Sequence, residues 1–294
     1  RMNLLPALRG IFCCLMRDGL MPNNFSVLMS IYSKENPVFF DQAMLSITDR
    51  QSLKPNEIIL VLDGELTQGL SAMVDKWNDK ISELKVVPLE QNVGLGDALK
   101  IGLDNCSNDL VARMDTDDIS HPDRFKIQVQ YMEENLDCDI VGSFVTEFDD
   151  DPDAIVSSRL VPVEHKEIVK GAQTRSPFNH PSVMYRKYSV IKAGNYKKFH
   201  GFEDYYLWVR MIMDGACCFN IDKPLVNMRS GCAMLSRRGG ISYAINEIKL
   251  QYKFLEIGFI SNFIFMKNIL MRTPTRLLPN VVRSYLYKII SIYI

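Results

Sequence analysis

The residues Val111-Ala112-Arg113-Met114-Asp115-Thr116-Asp117-Asp118 form an apolar run that ends in three carboxylates within four positions. Carboxylates this close resist joint ionisation unless a cation is present, and hard oxygen ligands suit Mg²⁺ or Mn²⁺. Such a cation could in turn hold a phosphorylated ligand. The competing reading is a solvated acidic turn after a strand, because a short Asp-x-Asp recurs by chance. An EF-hand loop does not fit. Counted from Asp115, position six is Ser120 where that loop needs Gly, and position twelve is Lys126 where it needs Glu.

The elements that must position this cluster decide between the two readings. Phe25 to Ile31 reads as a buried strand, and Pro37 to Arg50 as a helix with proline in its first turn. Further strands are expected at Glu57 to Leu62, Leu84 to Pro88 and Leu110 to Met114, with helices at Thr67 to Ile81 and Gly94 to Asn105 between them. This alternation predicts a parallel sheet covered on both faces, with ligands bound beyond the carboxyl ends of its strands. Tyr32 to Glu35, Asp63, and Asp115 to Asp118 all fall at that edge. After His121-Pro122 a helix to about Asn135 and a strand at Asp139 to Phe144 are expected. The alternation then loosens into an α+β half, with short strands near Ser158 to Val161 and Ser182 to Tyr185 and a helix from Phe202 to Met213. Asp149-Asp150-Asp151-Pro152-Asp153 reads as a solvated acidic loop.

The 294 residues suffice for one large domain or two small ones, and the net charge of −1 offers no global field for nucleic acid. Seven cysteines, an odd number without Cys-x-x-Cys spacing, fit reduced thiols in a cytoplasmic compartment. The four histidines lack metal-ligand spacing. Residues 1–23 carry an apolar run too short for a signal peptide, and Met21 lies just before the first strand, so they are expected to be an extension outside the fold.

Five stretches occur in order: Phe25 to Tyr32, Glu57 to Gly64, Asn92-Val93-Gly94-Leu95-Gly96-Asp97-Ala98-Leu99, Arg113 to Asp118, and Gly201-Phe202-Glu203-Asp204-Tyr205-Tyr206-Leu207-Trp208. Together they resemble family-2 inverting glycosyltransferases of the GT-A fold, and among these the bacterial amylovoran and O-antigen type. The resemblance covers Phe25 to Gly240. It implies an α/β fold with a Rossmann-like mixed sheet flanked by helices. It also implies that Asp63 contacts the uracil of a UDP-sugar, Asp115 the ribose and metal, and Asp117 the Mn²⁺ or Mg²⁺ that bridges the donor diphosphate. Asp204 is implied as the base, with Glu203 beside it as the second candidate. Further donor contacts are expected from Ser30, Tyr32, Glu35, Asn92, Gly94, Arg113, Thr116 and Arg238. Contacts to donor or acceptor are expected from His180, Arg237 and Trp208.

The chemistry of the residues agrees with that implication. Sugar transfer passes through an oxocarbenium-like centre and expels a diphosphate whose charge needs stabilising. A carboxylate on the opposite face must take the incoming hydroxyl's proton, so a single displacement inverts the anomeric centre. The Glu203-Asp204 pair also reads as simple helix N-terminal charge, Arg113 as a counterweight to the acids, and Arg237-Arg238 as surface charge or a diphosphate clamp. Asn227-Met228-Arg229-Ser230-Gly231-Cys232 lacks the histidine many relatives carry there, so no third protein ligand for a metal is named. The Gln-x-x-Arg-Trp pattern of processive relatives is absent, which predicts one sugar per encounter.

Other classes fit less well. A haloacid-dehalogenase-type phosphatase needs Asp-x-Asp-x-Thr, and here the fifth position is Ile119. A sugar-nucleotidyltransferase needs a glycine-rich, lysine-containing loop near the amino terminus. A non-catalytic nucleotide-sugar binding module gives Asp204 no role. The expected organisation is a catalytic domain at 24–240, with a nucleotide-binding half (24–120) and an acceptor half (121–240), then a helical, membrane-associating segment at 241–294. From Gly258 onward the chain has Lys267, Arg272, Arg276, Arg283 and Lys288 but no Asp or Glu. Beyond Pro279, Val281, Val282, Tyr285, Leu286, Ile289 and Ile290 recur at helical spacing. An amphipathic helix on an anionic membrane surface is therefore expected, beside an undecaprenyl-diphosphate-linked sugar acceptor at the inner face of the bacterial cytoplasmic membrane.

Overall fold

A computed structural model describes residues 24–230 and 239–278. The amino-terminal extension, Arg237, Arg238 and the helix expected beyond Pro279 lie outside the described residues.

The first half follows the expected alternation because its signals are local. Strand β1 (Phe25–Ile31) is buried along almost its whole length. Helix α1 (Pro37–Ile47) starts where the Asn36 side chain accepts a hydrogen bond from the Val38 N–H, with proline pre-set at the first position. Then come β2 (Glu57–Leu62), α2 (Gln68–Lys80), capped by Thr67, β3 (Leu84–Pro88), α3 (Leu95–Asn105) and β4 (Leu110–Arg113). The β3-β2-β1-β4 unit is parallel throughout. Alternate residues of β1 enter opposite cores: Phe25, Val27, Met29 and Ile31 pack with Phe40, Trp77 and Phe125, while Leu28 packs with Leu99, Leu103 and Trp208. Helix α3 lies close on the sheet because Gly102 has no side chain; a Cβ there would sit 2.5 Å from Leu28 Cδ1.

The second half continues the same sheet. Its elements are β5 (Ile119–Ser120), α4 (Arg124–Glu134), β6 (Cys138–Phe148), β7 (Ile155–Arg159), α5 (His165–Ala172), a 3₁₀ turn (His180–Ser182), β8 (Met184–Arg186), α6 (Lys187–Lys192), α7 (Glu203–Met213) and β9 (Cys217–Arg229). The nine-stranded order is β3-β2-β1-β4-β8-β6-β9-β5, with β7 paired to β6. Strand β8 is antiparallel to both β4 and β6, and β6 runs parallel to β9, so the sheet is mixed. Helices α8 (Ile241–Glu256) and α9 (Asn262–Leu277) then pack on α7 through Phe202, Tyr205, Tyr206, Val209, Leu250, Phe254 and Ile260.

Several boundaries move from the expectation. Helix α1 stops at Ile47, not Arg50, and strand β6 runs on to Phe148 because β7 and β9 both pair with its far half. The strand expected at Ser158 to Val161 lies at Ile155–Arg159. The one expected at Ser182 to Tyr185 starts two residues later, after the 3₁₀ turn. Strand β9, 13 residues long, has no counterpart in the sequence pattern. Its Asp222-Lys223-Pro224 segment looks like a turn locally, and the bulges opposite Phe144 accommodate it within the sheet.

Candidate active site

The sheet turns back on itself between β1 and β4, which are spatial neighbours but separated in sequence by β2 and β3. Beyond the carboxyl ends of such neighbours lies the crevice where open α/β sheets bind ligands. Ser30 and Tyr32 end β1, Asp63 follows β2, and Asp115 to Asp118 follow β4, so the expected donor residues do share one edge. Glu35 closes the turn after β1 with its N–H on the Tyr32 carbonyl, 3.1 Å away.

Asp63 orders the neighbouring loop through its backbone. Its Oδ1 accepts the Val93 N–H at 2.7 Å and its Oδ2 the Gly94 N–H at 3.1 Å, while its carbonyl accepts the Asn92 side chain at 3.1 Å. Gly94 is the left-handed N-cap of α3 (φ 91°), and space opens in front of it. Gly64 is required on the other side, since a Cβ there would lie 2.7 Å from the Asn92 nitrogen.

The three carboxylates are not equivalent. Arg113 is fully buried beneath them and pairs with Asp115 Oδ1, so it orients that carboxylate from inside and is screened from any ligand. Arg124, also fully buried, donates to the Arg113 carbonyl at 2.7 Å; burial pushes its guanidinium down to about 9. Thr116 is buried, Asp115 and Asp117 are half-buried at the edge, and Asp118 points inward. Asp118 Oδ1 accepts the backbone N–H of Arg229 at 2.9 Å, and burial, with Asp117 and Asp115 beside it, raises its carboxyl well above the usual range. Its burial and its bond to the Arg229 N–H make it a structural pin between β9 and the carboxylate turn.

Arg229 is the residue the sequence reading missed. Its Nε donates to the Asp117 carbonyl at 3.1 Å and its Nη2 to Gln42 Oε1 at 2.8 Å, and its guanidinium lies between the rings of Phe39 and Phe148, 3.7 and 4.6 Å from their centroids. The carbonyls of Asp149 and Asp150 accept from Nη1, both at 3.3 Å, so the acidic loop expected to be solvated is anchored to this guanidinium by its backbone. No local pattern marks a pairing between residues so distant in sequence. Arg113, paired with Asp115, and Arg229, bonded to the Asp117 carbonyl, thus add positive charge beside the carboxylates.

On the acceptor side, Asp204 is half-buried in the first turn of α7. Glu203 is buried, and burial together with the Asp204 charge pushes its carboxyl up to about 7 against the pull of the Gly201, Phe202 and Glu203 N–H groups. Glu203 packs on α3: a Cβ on Gly96 would meet Glu203 Cγ at 2.8 Å. The second glycine of the Gly94-Leu95-Gly96 turn thus serves helix packing between the two halves. His180, in the 3₁₀ turn before β8, feels the charges of Arg113, Asp204 and Asp115. Burial, reinforced by Arg113, pushes its imidazole down to about 4. The ring is neutral at physiological pH and meets the Tyr196 hydroxyl at 3.3 Å. Trp208 does not reach a ligand. It is 1 % exposed, inside a ring cluster of Phe178, His180, Tyr185 and Tyr196, so it supports His180 from behind.

Among the described residues, no group of three His, Cys, Asp or Glu side chains gathers to hold a metal unaided. The donor set still suits a hard cation such as Mg²⁺ or Mn²⁺, because such ions commonly take one or two carboxylates, here Asp115 and Asp117, and complete their shell with ligand phosphate and water.

This mixed sheet with its acidic strand end is the architecture of GT-A glycosyltransferases. The structure aligns with Staphylococcus aureus TarS in complex with UDP-GlcNAc at a TM-score of 0.62 and 19% identity, covering 84% of this chain and 70% of that one. It aligns with the Pyrobaculum calidifontis mannosyltransferase PcManGT, in complex with GDP-Man and Mn²⁺, at 0.61 and 14% identity, covering 88% and 73%. At that identity the likeness concerns the fold. The model of glycosyl transferase family 2 matches residues 26–194, and the chain belongs to that family. Its sequence is 41% identical to an Escherichia coli UDP-Gal:alpha-D-GlcNAc-diphosphoundecaprenol beta-1,3-galactosyltransferase, over 90% of this chain and 95% of that protein. It is 38% identical to the Erwinia amylovora amylovoran biosynthesis glycosyltransferase AmsE, over 90% and 98%.

Proposed function

We propose that this glycosyltransferase moves a hexose, with galactose the first candidate, from a UDP-sugar to a sugar on undecaprenyl diphosphate. The reaction inverts the anomeric centre and serves bacterial O-antigen or exopolysaccharide synthesis at the inner face of the cytoplasmic membrane. The observation that supports this reading is the placement of Asp63 and Asp115 to Asp118 beyond the carboxyl ends of the neighbouring parallel strands, in a family-2 chain 41% identical to a galactosyltransferase with such a substrate.

The donor's nucleotide lies along the β1 and β2 ends, with the uracil toward Asp63 and the loop it orders, and with Ser30, Tyr32, Glu35, Asn92, Gly94 and Thr116 around it. Asp115 faces the ribose, oriented by Arg113. Asp117 and Asp115 would hold a divalent cation, which would supply charge stabilisation for the diphosphate leaving group. Asp204 takes the proton of the acceptor hydroxyl as its oxygen bonds to the anomeric carbon and the bond from that carbon to the UDP oxygen breaks. Asp204 is favoured over Glu203 because its carboxylate is the more accessible of the two, whereas Glu203 is held in the α3–α7 contact. Neutral His180 forms a fixed wall beside that hydroxyl. Arg237 and Arg238 are assigned to the diphosphate from sequence.

The test is a panel of labelled UDP-, GDP- and dTDP-hexoses with Mn²⁺, Mg²⁺ or EDTA, offered to a GlcNAc-diphospho-lipid analogue. The expected result is transfer from a UDP-hexose with inversion of the anomeric centre and loss of activity in EDTA. Retention of configuration overturns the displacement by Asp204, and full activity in EDTA overturns the role given to Asp117.

A further inference from the structure

Helix α9 carries apolar side chains on its outward side as well as on the side that faces the core. Its inward side holds Ile264 and Phe265 against the core shared with α7 and α8, and beside them buried polar side chains. Asn268 donates to Gln251 Oε1 at 2.7 Å and to the Gln173 carbonyl at 2.8 Å. Arg272 and Arg276 grip the two oxygens of Glu247, which is 1 % exposed, with Nε contacts of 2.6 and 2.8 Å. The opposite side carries Phe263, Met266, Leu270 and Leu277, all exposed, with Phe263 at 78 % and Leu270 at 68 %. At about 100° per residue these four lie within an arc of about 60°, roughly opposite Asn268, Arg272 and Arg276. A soluble surface helix turns its apolar stripe inward. This one packs Ile264 and Phe265 inward with its buried polar groups and still presents a large apolar stripe outward, which marks an interaction surface.

The charge of the segment narrows the occupant. Lys267 is exposed at the flank of the stripe, no acid occurs from Gly258 to Ile294, and Arg272 and Arg276 are turned away from the stripe onto Glu247. Among the described residues no helix is long and apolar enough to cross a membrane, so the stripe suits contact with a bilayer face. Helices α8 and α9 share a core with Phe202, Tyr205, Tyr206 and Val209 of α7, the helix that carries Asp204. A bilayer against α9 would thus hold the base in fixed relation to the plane in which a lipid-linked acceptor lies.

We propose that the outward face of α9, formed by Phe263, Met266, Leu270 and Leu277 with Lys267 at its flank, is the surface on which the protein sits on an anionic phospholipid bilayer. The inference deepens the proposed function and rests on its lipid-linked acceptor. It falls within the 241–294 segment expected to associate with the membrane and places the contact on α9 in addition to the helix expected beyond Pro279.

The test is flotation of the full chain with vesicles of phosphatidylcholine alone or mixed with phosphatidylglycerol, alongside UDP binding, size-exclusion chromatography and transfer to a short-chain soluble acceptor. Wild type is expected to float with the anionic vesicles. The Phe263→Ser, Leu270→Ser double variant should partition at least about tenfold more weakly, because two large apolar side chains leave the contact, while its UDP binding and soluble-acceptor transfer stay unchanged. Lys267→Glu should weaken binding to the anionic vesicles selectively. Wild type that fails to float overturns the proposal. So does release by Val282→Ser, Ile289→Ser while the α9 double variant floats as wild type, which moves the contact to the segment after α9. A wild-type dimer that the α9 double variant turns into a monomer assigns the stripe to a second copy and overturns it too. Turnover on soluble acceptor without flotation sinks the membrane surface and leaves the transferase reading standing; flotation through α9 with no transfer to any acceptor does the reverse.

Discussion

Two adjacent carboxylates at the start of α7 have separable roles because their surroundings differ. Asp204→Asn keeps the shape but cannot accept a proton, so UDP binding should persist while turnover falls by about 10² to 10⁴. Normal turnover in that variant would move the base elsewhere. Glu203 makes a thermodynamic prediction instead. Its carboxyl moves from an ordinary 4.5 to about 7 in the folded chain, chiefly through burial. Between those values the unfolded chain has released its proton and the folded one has kept it, so stability falls as pH rises across that window and levels off above 7. Glu203→Gln should flatten this part of the stability profile and gain up to about 3 kcal/mol at pH 8. Denaturant titrations at pH 5 and pH 8 read it directly, and an unchanged slope would contradict the assignment.

At the scale of elements, the acidic strand end is held by a distant strand. Arg229 closes β9 and joins four segments: the Asp117–Asp118 turn, α1 through Gln42 and Phe39, the end of β6 through Phe148, and the loop at Asp149 and Asp150. Lysine has the charge but neither the planar fork nor the stacking surface. Arg229→Lys should therefore raise the KM for the donor several-fold with modest change in stability. Arg229→Ala, which leaves the Asp117 carbonyl and both rings without their partner, should cost about 1–3 kcal/mol as well. If donor KM is the same in all three proteins, the carboxylate turn keeps its geometry without this residue.

Across the molecule, the two edges of the sheet divide the labour. The carboxyl edge carries the carboxylates proposed to bind the donor, whereas the amino edge is tied by Glu57. Its oxygens accept from Ser26 Oγ at 2.5 Å, the Ser107 N–H at 2.8 Å and Lys85 Nζ at 2.6 Å, joining β1, β2, β3 and the turn before β4. Burial works against ionisation, yet these donors hold the carboxyl down at about 2. The group therefore contributes stability that is fully present above 4.5 and is lost as pH falls from 4.5 through 2. With the Lys85 side chain 60% exposed and its charge screened, about 2 kcal/mol is expected. Glu57→Gln should lower the urea midpoint at pH 7 and shrink the difference between pH 7 and pH 3, as measured by circular dichroism.

The alternation of strands and helices through Arg113 was legible in the sequence because it rests on local signals: apolar runs of strand length, Asn36 and Thr67 at helix starts, and Asp63-Gly64 at a strand end. Asp63, Asp115, Asp117 and Asp204, proposed above to carry the chemistry, were singled out in the sequence by the family resemblance, the first three at strand ends that the apolar runs mark. What surrounds them was decided by contacts between residues far apart in the chain. Strand β9 exists because β6 and β5 pair with it, despite an Asp-Lys-Pro segment that reads locally as a turn. Trp208 looked available beside Asp204, and the tertiary core claimed it; Arg229 looked incidental, and the fold set it against the carboxylates. Helix α9 has the periodicity of a core helix, but periodicity cannot say which face turns inward. Glu247 and Gln251 on α8 decide that, because a buried carboxylate and amide need the arginines and the asparagine more than the interior needs another leucine.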